Sequence, residues 1–251
     1  MSDELRILPV RGIGEVPAGA DLAGLILAAL AERQQPLADR DVLVVTQKIV
    51  SKAEGRIVDP AEVEPSHMAA MAAAQGHKDA RYYEVVLRES RRVVKMDRGV
   101  LVTETHHGLI CANSGVDESN VAGGSTVTLL PVDPDGSARA LRDALRERAG
   151  VDVAVIISDT FGRPWREGQV NVAIGVAGIA PLADYAGVHD TYGYLMQASN
   201  IAVADEIASA AELVMGKVDA VPVAIVRGYP YVAAEASARA LIRAPEKDLF
   251  R

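Results

Sequence analysis

The segment Val153-Ala-Val-Ile-Ile-Ser-Asp-Thr-Phe-Gly-Arg-Pro-Trp-Arg-Glu-Gly-Gln169 decides how the rest of the chain is read. Its uninterrupted, β-branched apolar start predicts a buried strand over residues 152–158. The run stops at Asp159-Thr160, which would set two oxygen-bearing side chains at the strand's carboxyl end. The Gly- and Arg-rich turn predicted next carries Arg163 and Arg166, both placed to meet an anion. A hard divalent cation beside a cationic loop can hold a nucleoside triphosphate during transfer, and a Thr hydroxyl completes an oxygen shell without adding charge. A solvated Asp at a strand end is the plainer account of the same residues.

Outward from this segment, strands and helices alternate, which predicts an α/β or α+β fold in one domain covering residues 1–251. Leu5 to Val10 reads as a strand, and Asp21 as the cap of an Ala/Leu helix to about Arg33. Asp41 to Thr46 is a second strand that leads into a loop, Gln47 to Gly55. Residues 61–98 are expected to be mainly helical, and Val100 to Thr103 and Leu109 to Ala112 to be short strands split by Thr105-His-His-Gly108. Val127 to Val132 is a further strand, followed by a Ser-capped helix, Ser137 to Ala149, that stops at Gly150. An Ala-rich helix over 202–215 and a strand from Pro222 to Val226 complete the pattern.

The 251 residues are 49% hydrophobic with a mean hydropathy of +0.12, enough for an ample core. Only 4% are aromatic, so that core must be built from Ala, Val, Leu and Ile. A net charge of −8 opposes a nucleic-acid partner, which favours a basic face. Cys111 is the only cysteine, which excludes an intramolecular disulfide and a multi-Cys zinc site. No apolar run reaches eighteen residues and no basic-then-apolar leader opens the chain, so no membrane association and a cytoplasmic location are expected.

Other constellations carry two readings each. Asn113-Ser-Gly-Val-Asp-Glu-Ser-Asn120 can aim several oxygens at one point, with Asp117 ligating a metal shared with Asp159 and Asn120 bonding a nucleotide. A polar loop that satisfies its own backbone would look the same. Lys48, Lys52 and Ser51 follow a strand and could pair with phosphate oxygens, or be solvated. Asp205-Glu206 suits a first helical turn on dipole grounds alone, and Gly216 suits either a helix stop or a close approach to a ligand. His106 and His107 are adjacent and would face opposite ways on a strand; the remaining histidines lack metal-ligand spacing. Neither standard nucleotide fingerprint is present. Ala211 stands where a P-loop ending in Gly216-Lys217 needs glycine, and Pro17 stands where Gly12-Ile-Gly14 would need its third glycine.

Taken in order, Leu8-Pro-Val10, Val50-Ser-Lys-Ala-Glu-Gly-Arg56, Gly115-Val-Asp-Glu-Ser-Asn-Val121 and Leu130-Pro-Val-Asp-Pro-Asp-Gly-Ser137 resemble the coenzyme F420-0:γ-glutamyl ligase family. The resemblance continues through Ser158-Asp-Thr-Phe-Gly-Arg163, Gly168-Gln169, Ala173-Ile-Gly175, Val203-Ala-Asp-Glu-Ile207 and Val226-Arg-Gly228, nearly the full chain. It implies a GTP-dependent ligase that adds L-glutamate to the deazaflavin precursor F420-0 through an acyl phosphate, releasing GDP and phosphate. It also implies Mn²⁺ or Mg²⁺ at two sites, help from K⁺, and an intertwined homodimer with an α/β fold unlike the P-loop proteins. By the same resemblance Asp117 and Asp159 would ligate one divalent ion and Thr160 the second, with Asp159, Arg163 and Arg166 serving the transfer. The nucleotide would meet Ile13, Gly14, Glu15, Val16, Gln47, Lys48, Lys52 and Asn120, with Met215 and Gly216 closing over it.

Three departures stand out. Lys217 occupies a place where some members carry an acidic metal ligand, and an ammonium cannot ligate a hard cation. Leu195 replaces the glutamate of a Tyr-Gly-x-Glu-Leu stretch, which makes residues 192–199 more apolar. A fused actinobacterial form continues into a nitroreductase-like domain, whereas this chain ends at Asp248-Leu-Phe-Arg251, so activity needing that domain is not expected. The Leu195 departure keeps open a related amide ligase with another carboxylate acceptor, and Lys217 a nucleotide-binding module without catalysis.

Overall fold

Apolar runs that do not alternate need cover on both faces, and the main sheet of the chain has it. The computed structural model describes residues 4–118, 126–197 and 199–248. In chain order, β1 (Arg6–Val10), α1 (Leu22–Glu32), β2 (Val42–Thr46), α2 (Gln47–Ala53) and β3 (Ile57–Val58) come first. They are followed by α3 (His67–Gln75), α4 (Ala80–Arg88), β4 (Ser90–Asp97), β5 (Val100–Thr105), β6 (Ile110–Ala112) and β7 (Val127–Thr128). The last third holds α5 (Pro134–Ala149), β8 (Ala154–Arg163), β9 (Arg166–Ala177), β10 (Ala183–Asp184), β11 (Asn200–Ile201), α6 (Val203–Met215) and β12 (Val223–Arg227).

The main sheet runs β1-β12-β2-β8-β9, with β2 and β8 parallel and every other pair antiparallel. Period-2 alternation divides its side chains cleanly. Leu43, Val45, Val155, Ile157, Val223 and Ile225 pack with residues of α1 and α5 on one face. Val42, Val44, Ala154, Ile156, Ala224 and Val226 pack with α6 on the other. A third core, with Tyr83, Val86, Leu101 and Leu129, lies among α3, α4, β5 and the chain after β7. The fold is therefore mixed α/β, with three smaller sheets of order β4-β5-β6, β3-β7 and β10-β11. Among the described residues, no helix is long and apolar enough to cross a membrane.

Five expectations from the sequence need correction. Residues 47–53 form helix α2, not a loop; seven residues are too few to display helical periodicity. The region 61–98 is not helical to its end, since Ser90–Asp97 is strand β4. Two register shifts against β5 break the period-2 pattern that would have revealed it. The strand expected over 127–132 is only Val127–Thr128; Leu129 and Leu130 are apolar because each enters a core. Helix α5 starts three residues early, at Pro134, capped by Asp133 through the Gly136 N–H rather than by Ser137. Finally, β8 does not end at residue 158 but pairs with β9 to Arg163, turning at Pro164-Trp165. Asp159 and Thr160 thus lie within a strand, on the part of the β8–β9 hairpin where the polar sequence imitates a turn.

Candidate active site

Three elements meet at Asp159. Strand β8 brings Ser158, Asp159 and Thr160 out from beneath the cores, and β2 hands directly into α2, which carries Gln47, Lys48 and Lys52. Asp117 arrives from a separate loop. Asn113, Ser114 and Gly115 before it all have positive φ, a left-handed run that is strained for the first two. Side chains hold this run in place: Asn113 Oδ1 accepts from the Leu101 N–H, and the Ser114 hydroxyl lies 2.7 Å from those of Ser90 and Thr103. Asp117 itself is fixed by reciprocal backbone bonds with Thr128, of 3.0 and 2.8 Å.

The charges interlock. Lys48 Nζ lies 2.8 Å from Asp117 Oδ2, and Lys52 Nζ, almost wholly buried, lies 2.6 Å from Glu15 Oε1. Lys217 donates to the Thr160 hydroxyl and sits 3.5 Å from Glu212 Oε1. The Thr160 hydroxyl donates to Asn171 Oδ1, and Asn171 Nδ2 donates to Glu212 Oε2, each at 2.8 Å. Burial pushes the Asp159 carboxyl up to about 6, and the nearby Asp117 charge adds to the rise. The Thr160 N–H, Lys217 and Lys48 oppose it.

Two adjacent chambers flank this cluster and share Lys48, Asp117, Asp159, Thr160, Lys217 and Val218 as lining residues. The first, of about 290 Å³, is closed on its far side by Ile13, Gly14, Glu15, Gln47, Lys52, Gly216 and Pro222, among others. The second, of about 530 Å³, continues past Cys111, Ala112, Gly115, Phe161, Gly162 and Gln169. Gly216 suits glycine because it ends α6 at φ +61° and ψ −178°, a backbone conformation that L side chains rarely adopt.

The structure gathers Ile13, Gly14, Glu15, Gln47, Lys48, Lys52, Asp117, Asp159, Thr160 and Gly216 around one cleft. Others stand apart. Val16 and Met215 are buried in the cores, and Arg163 and Arg166 face each other at the β8–β9 hairpin tip, lining neither chamber. Arg163 instead donates to the backbone carbonyls of Glu167 and Gly168. Asn120 lies outside the described residues. Leu195, 41% exposed, lines neither chamber; it bridges to His189. Asp205 accepts from the Ala173 N–H and so joins α6 to β9. His106 and His107 occupy a turn and contact the carbonyls of Arg88 and Pro131.

Sequence reasoning missed Glu212, Asn171 and Ser158. Glu212 had a signal, being a carboxylate in the last turn of α6, where the helix dipole disfavours it. Asn171 had one too, an amide inside the otherwise apolar stretch 170–177 of β9.

Among the described residues, no group of three or more His, Cys, Asp or Glu is arranged to hold a metal. The donors nevertheless fit one hard cation. Asp159 is held above its ordinary range beside a second carboxylate, so added positive charge is favoured there, and the buried Ser158 hydroxyl beside it has no hydrogen-bond partner. At Thr160 the ammonium of Lys217 already occupies the hydroxyl's outer side.

A family model described as F420-0:Gamma-glutamyl ligase matches residues 12–228. Similar proteins are named Coenzyme F420:L-glutamate ligase. The one from Methanothermobacter thermautotrophicus is 46% identical over 250 residues, 98% of this chain and 99% of that protein. The one from Methanopyrus kandleri is 47% identical over 252 residues, 98% of each. The one from Methanocaldococcus jannaschii is 42% identical over 219 residues, 87% of each.

Proposed function

Because the chain belongs to the F420-0:gamma-glutamyl ligase family, we propose that this ligase joins L-glutamate to coenzyme F420-0 at the expense of GTP. The observation that carries the reading is the two-chambered cleft whose shared lining holds Asp117, Asp159, Lys48 and Lys217. A carboxylate is a poor electrophile, and ligation needs it phosphorylated first. In the first step a carboxylate oxygen of F420-0 attacks the terminal phosphorus of GTP. The bond to the β–γ bridging oxygen breaks, and its electron pair leaves with GDP. In the second, the glutamate nitrogen, having shed one proton to water, attacks the acyl carbon. The C–O bond to phosphate breaks, and the departing phosphate takes the second proton from nitrogen.

The protein's part is placement and charge. Lys48 and Lys52 would pair with phosphate oxygens in the first chamber, beside the turn Ile13 to Glu15. Lys217 would neutralise charge from the Thr160 side. Asp117 and Asp159 would hold Mn²⁺ or Mg²⁺, which when bound neutralises the clustered phosphate oxygens. Thr160 would reach a second such ion once Lys217 swings off it, and K⁺ completes the reading without an assigned residue. Arg163 and Arg166 would act only if the hairpin tip folds toward the nucleotide. The same reading makes the enzyme a homodimer, in which the exposed Tyr185, Tyr192, Tyr194 and Ile201 would find cover; sedimentation equilibrium reads that mass directly.

The decisive assay is mass spectrometry of F420-0 after incubation with the protein, glutamate, GTP and Mn²⁺. A gain of one or more glutamyl units, lost on adding EDTA, is expected. Folded protein that gives no gain over a range of metals would sink the reading.

A further inference from the structure

We propose that the ammonium of Lys217 is a built-in counter-ion that keeps a second divalent ion off Thr160, so that the nucleotide-free cleft takes one such ion per chain. This deepens the ligase reading and rests on it for the first ion, at Asp117 and Asp159. Four side chains close a ring at this place. Lys217 Nζ donates to Thr160 Oγ1, and Thr160 gives its one hydroxyl proton to Asn171 Oδ1. Asn171 Nδ2 donates to Glu212 Oε2, and Glu212 Oε1 lies 3.5 Å from Lys217 Nζ. The ring fixes the direction of its bonds. Turning the buried Asn171 amide over would set its oxygen against the Glu212 carboxylate, so the Thr160 proton stays on Asn171 and its lone pairs stay turned to Lys217. A hydroxyl with only lone pairs to offer, beside a carboxylate, is what a hard cation takes. Here the cation is already part of the chain, and its charge reaches Asp159 as well. A second ion reaches Thr160 only by displacing that ammonium, and doing so leaves two positive charges close together. The family resemblance expects a divalent ion at Thr160; the donors present fit one only after Lys217 has left. An ammonium held there supplies charge for phosphate oxygens without a second ion being recruited.

Lys217 follows the end of α6 with its side chain 61% exposed, so substitutions there leave the cores untouched. Binding of Mn²⁺ to the nucleotide-free protein, counted from the loss of the free ion's electron paramagnetic resonance signal, tests the proposal without turnover. Wild type and Lys217→Arg are expected to bind one ion per chain. Lys217→Met removes the ammonium and adds no oxygen; it should bind two, the second at least tenfold more tightly than any second ion of wild type. Adding Thr160→Val to Lys217→Met should return the count to one. Two ions in wild type or in Lys217→Arg, one in Lys217→Met, or a count that ignores Thr160→Val each overturns the proposal. If none of these proteins binds Mn²⁺, the metal reading of the cleft falls and takes this proposal with it. The expected counts in a protein that transfers no glutamate would leave the counter-ion standing while the ligase reading fails.

Discussion

Asp159 is the residue on which stability and function oppose each other. Its carboxyl titrates near 6 in the folded chain, well above the ordinary 3.8, chiefly because it is buried. A raised carboxylate favours the fold while protonated. Its contribution is complete below the unfolded value and is lost as pH rises through 6. At neutral pH the ionised side chain therefore costs stability that a bound cation would offset. Asp159→Asn removes that cost, and without metal at pH 7.5 the variant should be more stable than wild type by on the order of 1–2 kcal/mol. The gain should fade towards pH 4, and glutamyl transfer should fall by about 10²-fold or more. Thermal melts across that pH range check the sign; a variant less stable than wild type at pH 7.5 would contradict the account.

At the scale of elements, the seating of α5 against β9 depends on one missing methyl group. A Cβ on Gly175 would stand 2.4 Å from both the carbonyl carbon and oxygen of Pro134, backbone atoms that cannot step aside. Gly175→Ala should cost about 1–3 kcal/mol, seen as a lower urea midpoint with an unchanged slope. An unmoved midpoint would mean that the helix start is free to shift. The elements legible in the sequence were those buried on both sides: β2, β12 and the first half of β8 announce themselves as unbroken Val and Ile runs. Where β8 leaves the core its polar residues resemble a turn, α2 is too short to show a period, and the bulges in β4 erase one. The site divides in the same way. Lys48 and Asp117 are readable because one follows a strand and the other a Gly-containing turn, and Asp159 because it interrupts an apolar run inside β8. Cys111 reaches the cleft only through tertiary placement, which no local pattern records, and Glu212 shows locally only as a carboxylate misplaced at a helix end.

Across the whole molecule, the main sheet is held by backbone pairing and by one buried ion pair. Asp41, fully buried at the start of β2, accepts two bonds from the Arg227 guanidinium at the end of β12, of 2.8 and 2.7 Å. Removing Arg227 would strand the buried Asp41 carboxylate, a loss of about 3–5 kcal/mol, whereas Arg227 left without Asp41 still reaches solvent and the Pro36 carbonyl. The parallel pairing of β2 with β8 sets residue 42 beside residue 154, and the entire α3–α4–β4–β5–β6 body lies on the chain between them. The centre of the sheet cannot form until that long excursion has been closed, and the loop entropy must be met before any strand contact compensates for it. The body inside the excursion has its own core and mostly local contacts, so it can organise first and shorten the effective loop. Refolding should accordingly proceed in two stages. Pulsed hydrogen exchange should show the α4 amides guarded early and those of β2 late; simultaneous protection would mean that the halves fold as one.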